Sequence, residues 1–233
     1  MGSDGDMEIS HVIFDMDGLL LDTENIYSAA TQKLCDRFGK IYSFDIKRQI
    51  MGMRGNEASQ AIIDKLQLDI SLADFMAEIE ATLPEMFKVA SSMPGAEKLV
   101  RHLHAHNIPI AVCTGSNQVN LGLKTTKHKD MFTLFHHVVT CSDDPQVQFG
   151  KPHPQPFQVT LSRFDAADTI KPHKVLVFED SPNGVLSAKA AGMRTVMVPD
   201  PRLEQEFRQD ADLVLETLLD FTPERWSLPP YEK

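Results

Sequence analysis

HVIFDMDGLLLDT, residues 11–23, decides the fold of this 233-residue chain. Val12-Ile13-Phe14 is an apolar run that stops abruptly at Asp15, with Asp17 and Gly18 close behind. β-Branched and aromatic residues bounded by a glycine turn predict a short strand buried on both faces. A buried parallel strand delivers the residues just after it to the carboxyl edge of the sheet, where open α/β folds bind ligands. On a continuing strand Asp15 and Asp17 would share one face. In a turn, the first would project into the crevice while the backbone of the second stays near. Acidic pairs also simply end strands, so the rest of the chain must decide.

Next comes a helical stretch. Ile26, Ala30, Leu34 and Phe38 recur every four residues until Gly39. Asp22 reads as the cap of that helix rather than as a substrate contact. Residues 44–51 and 57–66 predict two more helices, parted by Gly52-Met53-Arg54-Gly55. Ser71 caps a fourth, which runs to about Phe87 on a stripe of Phe75, Met76, Ile79 and Leu83. Beyond Met93-Pro94-Gly95, strands at 108–113, 138–141, 175–178 and 195–198 alternate with helices, and Leu213-Val214 adds a short last strand. Alternation of this kind means a parallel sheet covered on both faces. The expected fold is α/β, a doubly wound, mostly parallel Rossmann-like sheet with a helical cap domain inserted after the first strand. The core would be 8–22 and 95–233, and the cap 23–94.

Composition narrows the partners. The formal net charge of −10 argues against a nucleic-acid polymer or an anionic membrane surface. Any anionic substrate must then be held by local cations. Cys35, Cys113 and Cys141 are odd in number and lack metal-ligand spacing, which suits a reducing compartment. Residues 1–6 carry no signal-peptide pattern, Asp6 spoils a myristoylation motif, and no apolar run approaches a membrane span. A cytoplasmic protein, favoured as a monomer, is expected.

Polar residues gather at the strand ends: Asp15 and Asp17, Thr114, Lys151, then Glu179 and Asp180. Two carboxylates 4 Å apart repel by about 1 kcal/mol in water and about 4 kcal/mol at an effective dielectric of 20. A divalent cation removes that cost, and an all-oxygen donor set without His or Cys favours Mg²⁺.

In order, DMDGLLLDT, TGS, KP and EDSPNG resemble the four motifs of the haloacid dehalogenase-like hydrolases, from about Val12 to Val198. The resemblance implies that Asp15 is a nucleophile, Asp17 an acid and base, Thr114 a phosphate ligand and Lys151 the cation. It also implies Mg²⁺ held by Asp15 and the Asp17 carbonyl, with Asp180 and Glu179 completing the site. Gly115 and Ser116 would complete the phosphate cradle. The resemblance extends, through MPGAEKL, DDPQVQFGKP and VLVFEDSPNGV, to a subgroup acting on pseudouridine 5′-phosphate, with plant glycerol-3-phosphate phosphatases almost as similar. His153 and Gly115 depart from the subgroup, which usually has an acid and a second hydroxyl residue there.

The implied activity is hydrolysis of a small phosphorylated metabolite through an aspartyl-phosphate. The rivals are a phosphomutase and a catalytically silent binding protein. Substrate choice would fall to the cap loop, with Arg54, Asn56 and Glu57 the candidate contacts. His102, His104 and His106 read as a solvated helix face, Asp143 and Asp144 as structural, and Asn183 as a support for the catalytic loop.

Overall fold

The computed structural model describes residues 8–50 and 55–232. Strand β1 (His11–Phe14) is followed by four helices, α1 (Glu24–Asp36), α2 (Phe44–Ile50), α3 (Gly55–Leu66) and α4 (Leu72–Phe87). Then come α5 (Ala96–Ala105), β2 (Ile110–Thr114), α6 (Gln118–Lys124), α7 (Lys129–Phe132) and β3 (His137–Thr140). Helix α8 (Gln155–Ser162), β4 (Val175–Glu179), α9 (Pro182–Ala190), β5 (Arg194–Met197) and β6 (Leu213–Val214) complete the order.

The described strands form one sheet in the order β3-β2-β1-β4-β5-β6, every pairing parallel. The chain runs outward from β1 through β2 to β3, then returns to lay β4 on the other side of β1. That reversal makes the β1/β4 boundary the switch point, the crevice where this architecture takes ligands. Burial explains the near-continuous apolar strands: Val12, Ile13, Phe14, Val112, Val175, Leu176, Val177 and Phe178 are all fully buried. One face packs Phe14 and Phe178 against Leu99 and Leu103 of α5, while the other packs Ile13 and Val177 on Phe157 and Ala188.

The helices inserted after β1 bury a separate apolar cluster of Leu34, Cys35, Ile62, Ile63, Leu66 and Phe75. The expected Ser71 cap is present, its hydroxyl accepting from the Asp74 N–H at 3.1 Å. Asp22 is not the cap of α1. Thr23 precedes the helix, and Asp22 instead accepts from the Asn25 side chain at 3.1 Å. The connections into and out of the helical layer run side by side: Asp22 N–H donates to Ser91 O and Met93 N–H to Leu20 O, both at 2.9 Å. No helix among the described residues is long and apolar enough to cross a membrane.

Candidate active site

Register delivers the acidic residues to one point. Phe14 pairs with Phe178 across β1 and β4, and the Asp15 N–H donates to Phe178 O at 2.9 Å. Asp15 therefore leaves β1 level with Glu179 at the end of β4. Thr114, at the end of β2, sits one step beyond Cys113, whose carbonyl accepts from Lys151 Nζ at 2.9 Å. Gly18, at φ +80°, turns the chain after Asp17, and a Cβ there would stand 2.4 Å from Asp180 Oδ2. Only a glycine lets Asp180 come this close to the first motif.

Lys151 is the hub. Its ammonium donates to Asp15 Oδ1 and to Glu179 Oε1, each at 2.6 Å. With the Cys113 carbonyl, all three of its protons are used. Glu179 is wholly buried, and its other oxygen accepts from the Asp180 N–H, the Ser181 N–H and the Ser181 hydroxyl at 3.0–3.2 Å. Such a carboxylate is committed to orienting Lys151 and the turn. This departs from the metal-ligand role that the sequence suggested for Glu179. Gly184, at the start of α9, makes room for it, since a Cβ there would fall 1.8 Å from the Glu179 carboxyl carbon.

Asp15 and Glu179 share this one ammonium with Asp180 close by, and the imbalance shows in the protonation of Asp15 and Asp180. Burial pushes Asp15 up to about 7 against the pull of Lys151, with Glu179 and Asp17 adding to the rise. Burial also lifts Asp180 well above the usual carboxylate range, helped by Glu179 and Asp15. Lys151 itself is held charged, because its acidic neighbours outweigh its burial. The deficit of positive charge around Asp15 and Asp180, where the charged groups are carboxylates, is of the kind that a hard divalent cation such as Mg²⁺ offsets. That ion characteristically uses one or two carboxylates and leaves its other positions to water and phosphate.

Asp17 behaves differently. Its Oδ1 accepts from Thr23 Oγ1 at 2.5 Å and Lys124 Nζ at 2.6 Å, and its Oδ2 from Ser116 Oγ at 2.9 Å and Thr114 Oγ1 at 3.1 Å. Burial would raise this carboxyl, but the Lys124 ammonium and these hydrogen bonds prevail and hold it below its ordinary value. Two partners of Asp17, Thr114 and Ser116, are the hydroxyl residues assigned to phosphate from the sequence. Gly115, where a second hydroxyl residue is usual, faces open space. Lys124 was missed at the sequence level. A lysine at the end of a short helix reads as solvated, although it falls three residues after buried Leu121 and so on the same inward face.

The structure does not bring every candidate together. Asn56 and Glu57 lie exposed in the first turn of α3, and Arg54 lies outside the described residues. The cleft beside Asp180, about 340 Å³, is lined from the helical layer by Glu24 and Arg48 and from the sheet side by Asn183, Leu203 and Phe207. His153 is occupied with the Phe149 ring and the Gln155 N–H. Asp144 is structural as expected, gripped by Arg163 through two bonds of 2.6 and 2.8 Å. The His102, His104 and His106 rings each bond a backbone carbonyl at 2.8–3.1 Å.

Residues 12–198 match the family described as haloacid dehalogenase-like hydrolase. The chain is 46% identical over 226 residues to (DL)-glycerol-3-phosphatase 2 of Arabidopsis thaliana, covering 96% of this chain and 93% of that protein. It is 44% identical over 224 residues to "Probable pseudouridine-5′-phosphatase" of Drosophila melanogaster, covering 96% of each. The fold is shared with a haloacid dehalogenase family hydrolase from Deinococcus radiodurans, solved with bound phosphate and sodium. That match has a TM-score of 0.78 and 22% identity, and covers 97% of this chain and all of the other. A family match across most of its length, with relatives of this identity end to end, places the chain among the haloacid dehalogenase-like hydrolases, as a phosphatase.

Proposed function

We propose that this small-metabolite phosphatase works through an aspartyl-phosphate on Asp15, with Mg²⁺ as cofactor and pseudouridine 5′-phosphate as its best substrate. The observation that carries the reading is the pairing of Asp15 with Lys151 at 2.6 Å, two residues from a second carboxylate that bonds the Thr114 and Ser116 hydroxyls. An Asp15 oxygen bonds to phosphorus as the bond from phosphorus to the ester oxygen breaks, and Asp17 gives that oxygen its proton. Asp17 then takes a proton from the water that attacks phosphorus, freeing inorganic phosphate and restoring Asp15. The free enzyme holds Asp17 ionised, and a phosphate dianion arriving beside it opposes that pull and favours protonation. Lys151, its three protons held by Asp15, Glu179 and the Cys113 carbonyl, would offset by its charge the negative charge that develops on the phosphoryl oxygens in transit. The Thr114 and Ser116 hydroxyls and the Gly115 N–H are the donors we assign to those oxygens. Asp15, Asp180 and the Asp17 carbonyl would hold Mg²⁺, which when bound neutralises the carboxylates and polarises the phosphoryl group.

Chelation is expected to abolish turnover and Mg²⁺ to restore it, with Ca²⁺ a poor substitute because its coordination is larger and looser. The same cluster gives a test independent of activity. Asp15 titrates near 7 when folded and near 3.8 when unfolded, so between those values the folded state holds the extra proton. Stability of the metal-free protein then falls as pH rises from about 4 to about 7. Mg²⁺ should raise the melting temperature more at pH 7 than at pH 5. Equal stabilisation at both, with activity retained in excess chelator, would remove the metal from the account.

The relatives point to two substrates, and identities of 44% and 46% do not choose between them. The cleft favours the nucleotide. Phe207 is 47% exposed and lines it, an aromatic face on which a base can stack and a glycerol cannot. Expected is a higher kcat/KM for pseudouridine 5′-phosphate than for glycerol 3-phosphate. Phe207→Ala should shrink that ratio about tenfold, the usual worth of one stacked base. A wild-type enzyme that prefers glycerol 3-phosphate would reassign the substrate and leave the phosphatase chemistry in place.

A further inference from the structure

Each aspartate of the first motif pairs with an ammonium, Asp15 with Lys151 and Asp17 with Lys124, and the mechanism above uses only the first. Lys124, the last residue of α6, is 1% exposed. Its Nζ donates to Asp17 Oδ1 at 2.6 Å, Ser116 Oγ at 2.8 Å and the Tyr27 hydroxyl at 3.2 Å. These three bonds exhaust an ammonium's donors, so none remains for a substrate. Two rings wall the charge in, Phe87 with its centroid 4.6 Å from Nζ and Tyr27 at 5.0 Å. Ser116 both accepts from Lys124 and donates to Asp17 Oδ2, so lysine and serine brace the two oxygens of one carboxylate.

We propose that Lys124 is a positioning residue that holds the Asp17 carboxylate in line for proton transfer. The inference rests on the reading of Asp17 as acid and base. It adds that the aim of this carboxylate is set by a charge-assisted bond from α6, in a slot that α1 and α4 complete through Tyr27 and Phe87. Burying an ammonium is costly unless it is paired, and here the pairing is spent on fixing one side chain. Without it, Oδ1 keeps only the Thr23 hydroxyl, and a carboxylate misplaced by about 1 Å loses on the order of 10²-fold in rate.

The test compares Lys124→Met, Asp17→Asn and the double variant, on pseudouridine 5′-phosphate and on p-nitrophenyl phosphate. Lys124→Gln, a smaller change in polarity, stands in should methionine prevent folding. Expected for Lys124→Met on pseudouridine 5′-phosphate, where both proton transfers slow, is a fall in kcat of about 10²-fold with KM within about threefold of wild type. With p-nitrophenyl phosphate, whose leaving group needs no proton, the first step should survive. Lys124→Met should then release a burst of one nitrophenolate per site before slow turnover, whereas a collapsed site gives none. If Lys124 acts only through Asp17, the double variant should be no slower than Asp17→Asn alone. A raised KM at normal kcat would put the ammonium on the substrate and overturn the proposal. So would losses that multiply in the double variant, or a wild-type rate in Lys124→Met beside a slow Asp17→Asn. A wild-type rate in Asp17→Asn is a different result, since it brings down the acid–base reading itself.

Discussion

Asp15→Asn is expected to lose about 10⁴-fold or more in kcat, because an amide neither attacks phosphorus nor forms an acyl phosphate that water can clear. The loss should come without unfolding. Asp15 shares Lys151 with Glu179, and burial together with its acidic neighbours already pushes its carboxyl up to about 7. A neutral amide at that point removes repulsion toward Glu179 and Asp180 and leaves the Lys151–Glu179 pair intact. The melting temperature of the metal-free variant should therefore equal or exceed that of wild type at pH 7. Steady-state kinetics beside thermal unfolding decide the matter. An inactive but destabilised variant would mean that Asp15 is chiefly structural, and an active one would mean that the nucleophile lies elsewhere.

Lys151→Met should remove activity and, unlike Asp15→Asn, much of the stability. Glu179 has no exposed surface, so it cannot turn to water when its partner goes. Breaking a buried ion pair from one side costs about 3–5 kcal/mol. For a chain of this size that corresponds to a melting temperature lower by about 10 °C. Adding Glu179→Gln should return part of the loss, because the stranded charge is then gone. An unchanged melting temperature in Lys151→Met would show that the cluster is solvated and that its charges are not coupled as described.

The strand framework and the ordered polar sites were legible because they depend on short-range chemistry. Val12-Ile13-Phe14, apolar and bounded by a glycine turn, reads as a buried strand from its own residues, and a sheet of order β3-β2-β1-β4-β5-β6 carries Asp15, Thr114 and Glu179 to one edge. Less legible was which group each polar residue would meet. Glu179 and Asp180 are neighbours in sequence, but Glu179 ends β4 on Lys151 while Asp180, just past the strand, comes up against Gly18. Asp22 had the composition of a helix cap, yet its backbone pairs with Ser91, Thr23 takes the cap position of α1, and the Thr23 hydroxyl goes to Asp17. Lys124 was beyond sequence reasoning for a related cause. Its value comes from Tyr27, Phe87 and Asp17, residues 37 to 107 positions away that only the packing of α1, α4 and α6 brings together.

If the phosphoryl group passes through Asp15, it can be trapped there. Enzyme mixed with radiolabelled p-nitrophenyl phosphate and quenched in acid within one turnover should carry label on the peptide that contains residues 11–23. Borohydride reduction of the same sample should convert residue 15 to homoserine, since only an acyl phosphate is reduced in this way. Label on any other residue, or phosphate released at the full rate with residue 15 never modified, would contradict the account.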